Sequence, residues 1–469
     1  MTDVAMTAIT RRGLLAAAGT GTIVALAPMS FAAAATGTKT QVVDGQIAPG
    51  PTDFVYLPVN VPRGVQQISV SYSYSKPAVP AGTPGNSCDI GIFDARGFDF
   101  GGPGFRGWSG GFRTGFSISR SEATPGYLPG DVMPGTWHIV LGPYQVAPQG
   151  MDYHVEVTLT YGDPGPKYIP AYPPTRAKGR GRDWYRGDCH LHTVYSDGRN
   201  LPADVAAGAR AAGLDFIVST DHNTNASHGA WGPYAGDDLL IVTGEEVTTR
   251  NGHWLALGTQ PGQWVDWRFR ARDGVFDRIQ QQVHRAGGLC VSAHLYCPWI
   301  ASEWKFGFEG LDATEVWTGP WGWDESVERY EDMLQAARRR DLPMVCANPD
   351  LVVHHMGRRA ICAGAIAQRY QALGGKVRWH GKPFPGVYKQ ALALMGISDP
   401  KRILAIGDSL RTDIAGANAA GIDAIVVAGG IHYEEFGCGE GQLPDPARIA
   451  KAAQAAGAHP IAALDQLRW

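Results

Sequence analysis

The N-terminal part of the chain is written in period two. Ile68, Val70, Tyr72 and Tyr74 alternate with polar residues, and so do Cys88, Ile90 and Ile92. Trp137, Ile139 and Leu141 repeat the pattern, and Tyr153, Val155, Val157, Leu159 and Tyr161 extend it. Such alternation buries one face of a strand and leaves the other polar. With Gly/Pro turns between the runs, residues 36–161 predict an antiparallel β-sandwich. The Gly- and aromatic-rich stretch from Phe100 to Phe116 breaks the rhythm and is expected to be a long loop between strands.

Residues 162–182 are dense in proline and end on a basic run, Arg176 to Arg182, which reads as a solvated linker. From Asp183 the rhythm becomes short apolar run, polar tip, helix. An Ala-rich helix is expected over Asp204 to Gly213. A second, from an N-cap at Asp273, carries Phe276, Ile279 and Val283 on one face. Phe216-Ile217-Val218, Leu239 to Val242 and Leu289 to Val291 are the intervening strands. A βα alternation predicts a parallel sheet or barrel whose active residues sit at the C-terminal strand ends.

Composition narrows the function. The 469 residues suit about three domains. The 41 Lys+Arg against 44 Asp+Glu give a net charge of −3, which excludes the concentrated basic surface a nucleic-acid partner needs. Seven cysteines are an odd number with no CxxC pair, and Cys290 and Cys346 lie in apolar runs as expected of inert core thiols.

The chemistry gathers at the strand ends. His190-Leu191-His192 places two imidazoles on one side of a strand. Asp197 follows in Ser196-Asp197-Gly198, then come Asp221-His222, Gly244-Glu245-Glu246, Gly252-His253 and Ala293-His294. Imidazoles mixed with carboxylates at one mouth suit Zn, Mn or Fe as divalent ions.

Gly187-Asp188-Cys189-His190-Leu191-His192-Thr193 with Ser196-Asp197-Gly198 resembles the first motif of the PHP (polymerase and histidinol phosphatase) superfamily. Asp221-His222, Glu246 with His253, and His294 are similar to its second, third and fourth motifs. With the preceding β-domain, residues of about 40–336 resemble the exported branch associated with carbamate hydrolysis. The resemblance implies a (βα)7-like barrel over 183–338 that holds two or three divalent metals. His190, His192, Asp197, His222, Glu246 and His294 are its ligands, and Asp197 and His253 its candidate catalytic groups. Cys189, beside the first motif, is expected to pack. The family's closing Ser-Asp-x-His motif does not occur after Trp323, so the barrel is expected to be truncated and its activity impaired. The Trp-rich stretch Trp317, Trp321 and Trp323 is a candidate for binding an aromatic leaving group or a structural loop.

Thr10-Arg11-Arg12-Gly13-Leu14-Leu15 before an Ala/Gly-rich apolar stretch resembles a twin-arginine export signal over 1–35. It implies a periplasmic or extracellular protein with no stable membrane anchor once the signal is cleaved.

Residues 339–469 change character. Cys346-Ala347-Asn348-Pro349-Asp350, His380-Gly381-Lys382-Pro383 and Ile406-Gly407-Asp408-Ser409 through Asp413 resemble the C-terminal half of class IIA haloacid-dehalogenase (HAD) phosphatases. The resemblance implies a partial Rossmann-like α/β segment. Lys382, Asn348 and Asp350 would lie on its substrate side, with Mg held by Asp408 and Asp413. The family's nucleophile, in Asp-x-Asp-Gly, occurs nowhere in the chain, which disfavours phosphatase chemistry there. The expected whole is a multidomain fusion joined near 336–340. It acts as a PHP-type hydrolase on a small-molecule phosphoester, ester or carbamate. Its alternatives are a HAD-type Mg-dependent phosphatase and a non-catalytic binding module.

Overall fold

A computed structural model describes residues 37–50, 52–296, 303–317, 326–355, 358–438 and 444–467. The export segment at 1–35, Cys297, Trp321 and Trp323 lie outside these residues. Among the described residues no helix is long and apolar enough to cross a membrane. The chain divides into two compact units: one reaches Val291 and takes in Gly310–Asp312, the other comprises Ser292–Glu309 and the chain from Ala313.

The first unit begins with eight strands: β1 (Gly37–Ile47), β2 (Val55–Val61), β3 (Val65–Tyr74), β4 (Ser87–Phe93), β5 (Phe105–Trp108), β6 (Gly115–Ser119), β7 (Gly135–Gln145) and β8 (Met151–Tyr161). They form two antiparallel sheets, in the orders β1-β8-β3-β6 and β2-β7-β4-β5. Ile68, Val70 and Tyr72 from one sheet and Ile90, Ile92, Trp137, Ile139 and Leu141 from the other share one core. Each fully buried aliphatic side chain there contributes about 1.5–3 kcal/mol.

Two strands of the second sheet are buried on both faces, as the unbroken burial of β4 after Ser87 and of β5 shows. Its outer face is covered by the segment at Trp264 to Phe269 of the following domain. Phe105 stacks on Trp264 at 4.3 Å between ring centroids, and Trp108 meets Trp267 at 4.7 Å. Arg268 lies 4.2 Å from the Phe93 ring and donates to the Tyr56 hydroxyl at 2.8 Å. Its ion pair with Asp266, at 2.6 Å, is almost wholly buried. The expected loop at Phe100 to Phe116 is therefore in part a strand. Alternation fails in β5 because both of its faces are covered. Gly107, at φ 139°, lets the chain pass against Tyr127, where a Cβ would come within 2.5 Å of its backbone.

The half-barrel follows: β9 (Gly187–Leu191), α1 (Pro202–Ala211), β10 (Phe216–Ser219), β11 (Leu240–Thr249), β12 (Gly252–Leu257), α2 (Phe276–Arg285) and β13 (Leu289–Ala293). The strands run in the spatial order β13-β12-β11-β10-β9. β9, β10 and β11 are parallel, but β11 and β12 form an antiparallel hairpin. Among the described residues no pairing closes the sheet, so the expected barrel is an open half. The cause of the hairpin is Asn251-Gly252, with Gly252 at φ 121° and the Thr249 hydroxyl donating to the Gly252 carbonyl at 2.7 Å. A tight turn returns the chain at once where a βα unit would cross over through a helix. Helix α2 buries Phe276, Ile279 and Val283, as its spacing predicts. Asp273 instead caps a 3-10 turn, accepting from the Arg270 amide at 2.7 Å, and α2 starts two residues later than expected, from an N-cap at Val275.

The division between the units falls within β13. The second unit holds β14 (Ala313–Thr314), α3 (Glu331–Arg339), β15 (Met344–Cys346), β16 (Val352–His355), β17 (Arg358–Ile361), α4 (Ala363–Ala372), β18 (Val377–Trp379), α5 (Pro385–Leu394), β19 (Leu404–Gly407), α6 (Ala415–Ala419), β20 (Asp423–Val427), α7 (Pro446–Ala456) and β21 (Ala462–Leu464). Its pieces are a parallel pair β15-β18, a hairpin β16-β17 and a parallel sheet β19-β20-β21. The joint expected at 336–340 lies at the end of the continuous helix α3. β19 is an edge strand with Leu404 and Ile406 nearly half exposed, and α5 buries none of its residues.

Candidate metal centre

Glu246 is the centre of the site. It lies on β11, wholly buried, and period two sends it to one side of the sheet and Glu245 to the other. Glu245 accepts from the Val265 amide at 2.9 Å and so anchors the segment that covers the second sheet. Glu246 instead meets four imidazoles. Its Oε2 is 2.9 Å from His190 Nε2, 3.2 Å from His192 Nε2 and 3.1 Å from His222 Nδ1. Its Oε1 is 2.9 Å from His253 Nδ1.

Each imidazole comes from a different turn of the local fold. His190 belongs to β9, and His192 lies just beyond its end. His222 follows β10, and a bridge to Glu246 fixes its backbone. His253 sits on β12 directly across from Thr248 in the hairpin register. Asp197 lies at the open side, its Oδ1 3.6 Å from His192 Nδ1 and 3.8 Å from His222 Nε2. Ligand atoms of His192, Asp197 and His222 fall within 4.8 Å of one another, as do those of His222, Glu246 and His253. His294 belongs to the second unit, where it follows β13 at φ 27°, an uncommon conformation for a side chain other than glycine.

The electrostatics follow from burial. Burial alone would raise the Glu246 carboxyl, but the field of His222 and the hydrogen bonds from His190, His192 and His253 carry it well below its ordinary value. His222 is driven well below its ordinary value, first by burial. Burial also opposes the charge on His192, yet its bond to Glu246 leaves it raised. Burial pushes the Glu245 carboxyl well above its ordinary value, the opposite direction to Glu246.

The donor set fits divalent metals. Two carboxylates and four imidazoles face one another, and this mixture is the chemistry borderline cations select. Around it lies a supporting layer that sequence reading missed. Thr248 Oγ1 is 2.6 Å from His222 Nδ1. Asp221, wholly buried, accepts from the Thr193 amide at 2.8 Å and the Ser196 hydroxyl at 2.7 Å, tying the first motif to the second. Such partners orient ligands. The only signal for them was the Thr and Ser within the motifs. Cys189 is exposed, because β9 is the edge of the sheet, and the packing role expected for it is corrected.

The C-terminal candidates are arranged differently. Lys382 pairs with Asp413, whose other oxygen accepts from the Ser409 amide at 3.1 Å. Asp408 accepts from the Ile431 amide at 3.1 Å. Asp350 accepts from the Thr412 hydroxyl, and Asn348 Oδ1 accepts from the Asp350 amide at 3.1 Å. Lys382 feels Asp413, Asp350 and Asp408 together, so these groups share a neighbourhood. Among the described residues no group of three metal-ligating side chains is found here, and the expected Mg pair, Asp408 and Asp413, lies in this neighbourhood.

Residues 379–451 match the family described as HAD-hydrolase-like. A phosphoserine phosphatase of Thermus thermophilus is 26% identical over 207 residues, covering 35% of this chain and 79% of that protein. The ribonucleotide monophosphatase NagD of Escherichia coli is 29% identical over 114 residues, 24% of this chain, and the chain spans 42% of its length. Among solved structures, a haloacid dehalogenase-like hydrolase from Brucella suis has 25% identity and a TM-score of 0.28, covering 61% of this chain and 96% of that one. A metal-dependent phosphoesterase described as putative, from Bifidobacterium adolescentis, has 20% identity and a TM-score of 0.23, covering 34% and 85%. Residues 379–451 are similar to HAD-hydrolase-like proteins, and among the described residues the groups of three or more metal-ligating side chains lie outside that segment.

Proposed function

We infer that the chain is an exported, metal-dependent hydrolase of PHP type, acting at the Glu246 group on a small phosphoester, ester or carbamate. One observation carries the reading: a buried carboxylate meets four imidazoles within 3.2 Å, at the motif positions of that superfamily. His190, His192, Asp197, His222, Glu246 and His253 would hold the metals, and His294 joins them on sequence grounds. Bound divalent metals supply a Lewis acid that activates water and polarises the scissile group.

The chain's own residues do the rest. Thr248 fixes the ring of His222, and Asp221 fixes the loop that carries His192 to Asp197. Asp197, the most open carboxylate of the group, is placed to accept a proton from attacking water. Glu246 and His253 stay buried behind it, where water is excluded. The chain lacks the closing Ser-Asp-x-His motif that would supply the last ligands, which is why turnover is expected to be low.

The test is metal analysis of the purified chain with p-nitrophenyl phosphate and naphthyl carbamate hydrolysis. Mn- or Zn-dependent turnover lost in His192→Ala supports the reading. Turnover that needs Mg and Asp408 but survives His192→Ala overturns it.

A further inference from the structure

One group of metal-ligating side chains shares no member with the Glu246 centre. His284 lies in the last turn of α2, Cys290 is the second residue of β13, and Asp312 stands in the short segment 310–312 of the first unit. Ligand atoms of the three fall within 4.8 Å of one another. Cys290 lies near the start of β13 and His294 follows its end. About 13 Å of strand, at about 3.3 Å per residue, therefore separates this thiol from the motif histidine.

Asp312 organises the group. Its Oδ2 lies 2.8 Å from His284 Nε2 and accepts from the Cys290 amide at 2.8 Å. The Asp312 amide in turn donates to the Cys290 carbonyl at 2.8 Å, which locks the two residues together. Among the described residues Asp312 Oδ1 takes no hydrogen bond. The Cys290 thiol is wholly buried and donates only a long bond, 4.0 Å, to the carbonyl of Gln280, one turn before His284 on α2.

A thiol that only packs needs no polar company, and a surface His–Asp pair needs no thiol. Here the three converge from a helix, a strand and a separate segment. Without a cation the thiol stays protonated: burial first, and then the charge of Asp312, push Cys290 up to about 12. A cation reverses both effects, because a coordinating thiol gives up its proton. The carbonyl end of α2 also favours positive charge beside His284. One sulfur, one imidazole nitrogen and one carboxylate oxygen are a donor set for Zn, whereas Mg, Ca and Mn prefer oxygen. His284 and Asp312 are 36% and 35% exposed, so an ion can enter from solvent and water can complete a fourfold shell.

We propose that His284, Cys290 and Asp312 form a second metal site, selective for Zn over Mn and Mg, which ties α2 to β13 and to the 310–312 segment. On binding, the thiol proton leaves to solvent, the sulfur becomes a thiolate ligand, and the cation takes the place of the His284–Asp312 hydrogen bond. The site has no part in hydrolysis and does not rest on the PHP reading of the Glu246 group.

The experiment is titration of the full chain with Co, followed by the near-ultraviolet charge-transfer band that arises when a thiolate binds this ion. The Glu246 group has no thiol among its ligands, so the band reports the second site. Wild type and Glu246→Gln should both show the band, and Zn but not Mn should displace it. Cys189→Ser, which removes the exposed thiol beside His190, should leave it unchanged. Cys290→Ser should abolish it. Because Cys290 is buried, His284→Gln on the more open side serves as a second variant. With circular dichroism unchanged, it should weaken Co binding by about 100-fold or more, past the loss typical of a supporting partner. No band in wild type, a band that survives Cys290→Ser or disappears in Cys189→Ser, or unchanged affinity in His284→Gln overturns the proposal.

Discussion

The Glu246 group and the Lys382 group both gather acidic residues, yet their charges are met in opposite ways. At Asp413 the partners are a lysine and a backbone amide, and at Asp408 a backbone amide. These carboxylates are already served. At Glu246 the partners are four imidazoles, and burial works against a proton on one of them, His222. A carboxylate kept charged in such company is the one that the proposed metals would meet. Sequence motifs showed acids in both places, and the partners of these acids set the two apart.

The largest expected effect breaks or secures this contrast directly. Glu246→Gln should remove the metal bound there and lower hydrolysis by well over about 100-fold, beyond the 10- to 100-fold typical of losing a supporting partner. Metal analysis and p-nitrophenyl phosphate turnover on one sample would check it, and full metal content in the variant would break the contrast. Metal removal should come next. EDTA should lower the unfolding midpoint, and Mn or Zn at 100 times its dissociation constant should restore about 2.7 kcal/mol. Scanning calorimetry with Mn should show this shift in Asp413→Asn and not in Glu246→Gln.

A third test adds an acid of neither kind. Burial raises Asp89 to about 7, with Arg250 opposing only in part. The folded state then holds a proton that the unfolded state has released, so stability falls as pH rises from about 4 to about 7 and is flat above. Asp89→Asn should therefore be more stable than wild type at pH 8, by on the order of 1 kcal/mol or more, with the difference shrinking toward pH 4. Urea unfolding at several pH values measures it; a pH-independent difference would show that Asp89 is not carrying this charge. The smallest effect belongs to Lys382→Met. Lys382 is 45% exposed and solvent screens its pair, so the loss should be about 1 kcal/mol or less, with hydrolysis unchanged.

Much of this was legible in the chain. Alternation named Ile68, Val70, Ile90, Ile139 and Leu141 as core, because each strand there has one face inside. His190-Leu191-His192 and Glu246 could be read because period two and strand ends act over a few residues. What stayed hidden depended on distant chain. β5 carries no alternation because Trp264 and Trp267 cover its other face. The β11–β12 hairpin was signalled by Asn251-Gly252, but the βα rhythm on either side masked it. Asp89 and Arg250, more than 150 residues apart, have no local pattern at all.

The doubly covered second sheet also has a history in time. Its strands are complete once residue 145 has been made, while the indoles that cover Phe105 and Trp108 come with Trp264 and Trp267. At about 5–20 residues per second, roughly 6–24 s separate the two events on the ribosome. For that interval the nascent chain holds out an aromatic plate with nothing to lie against. Any factor that shields emerging polypeptides would meet this chain there first, and a truncation between 161 and 264 would keep the plate bare for good.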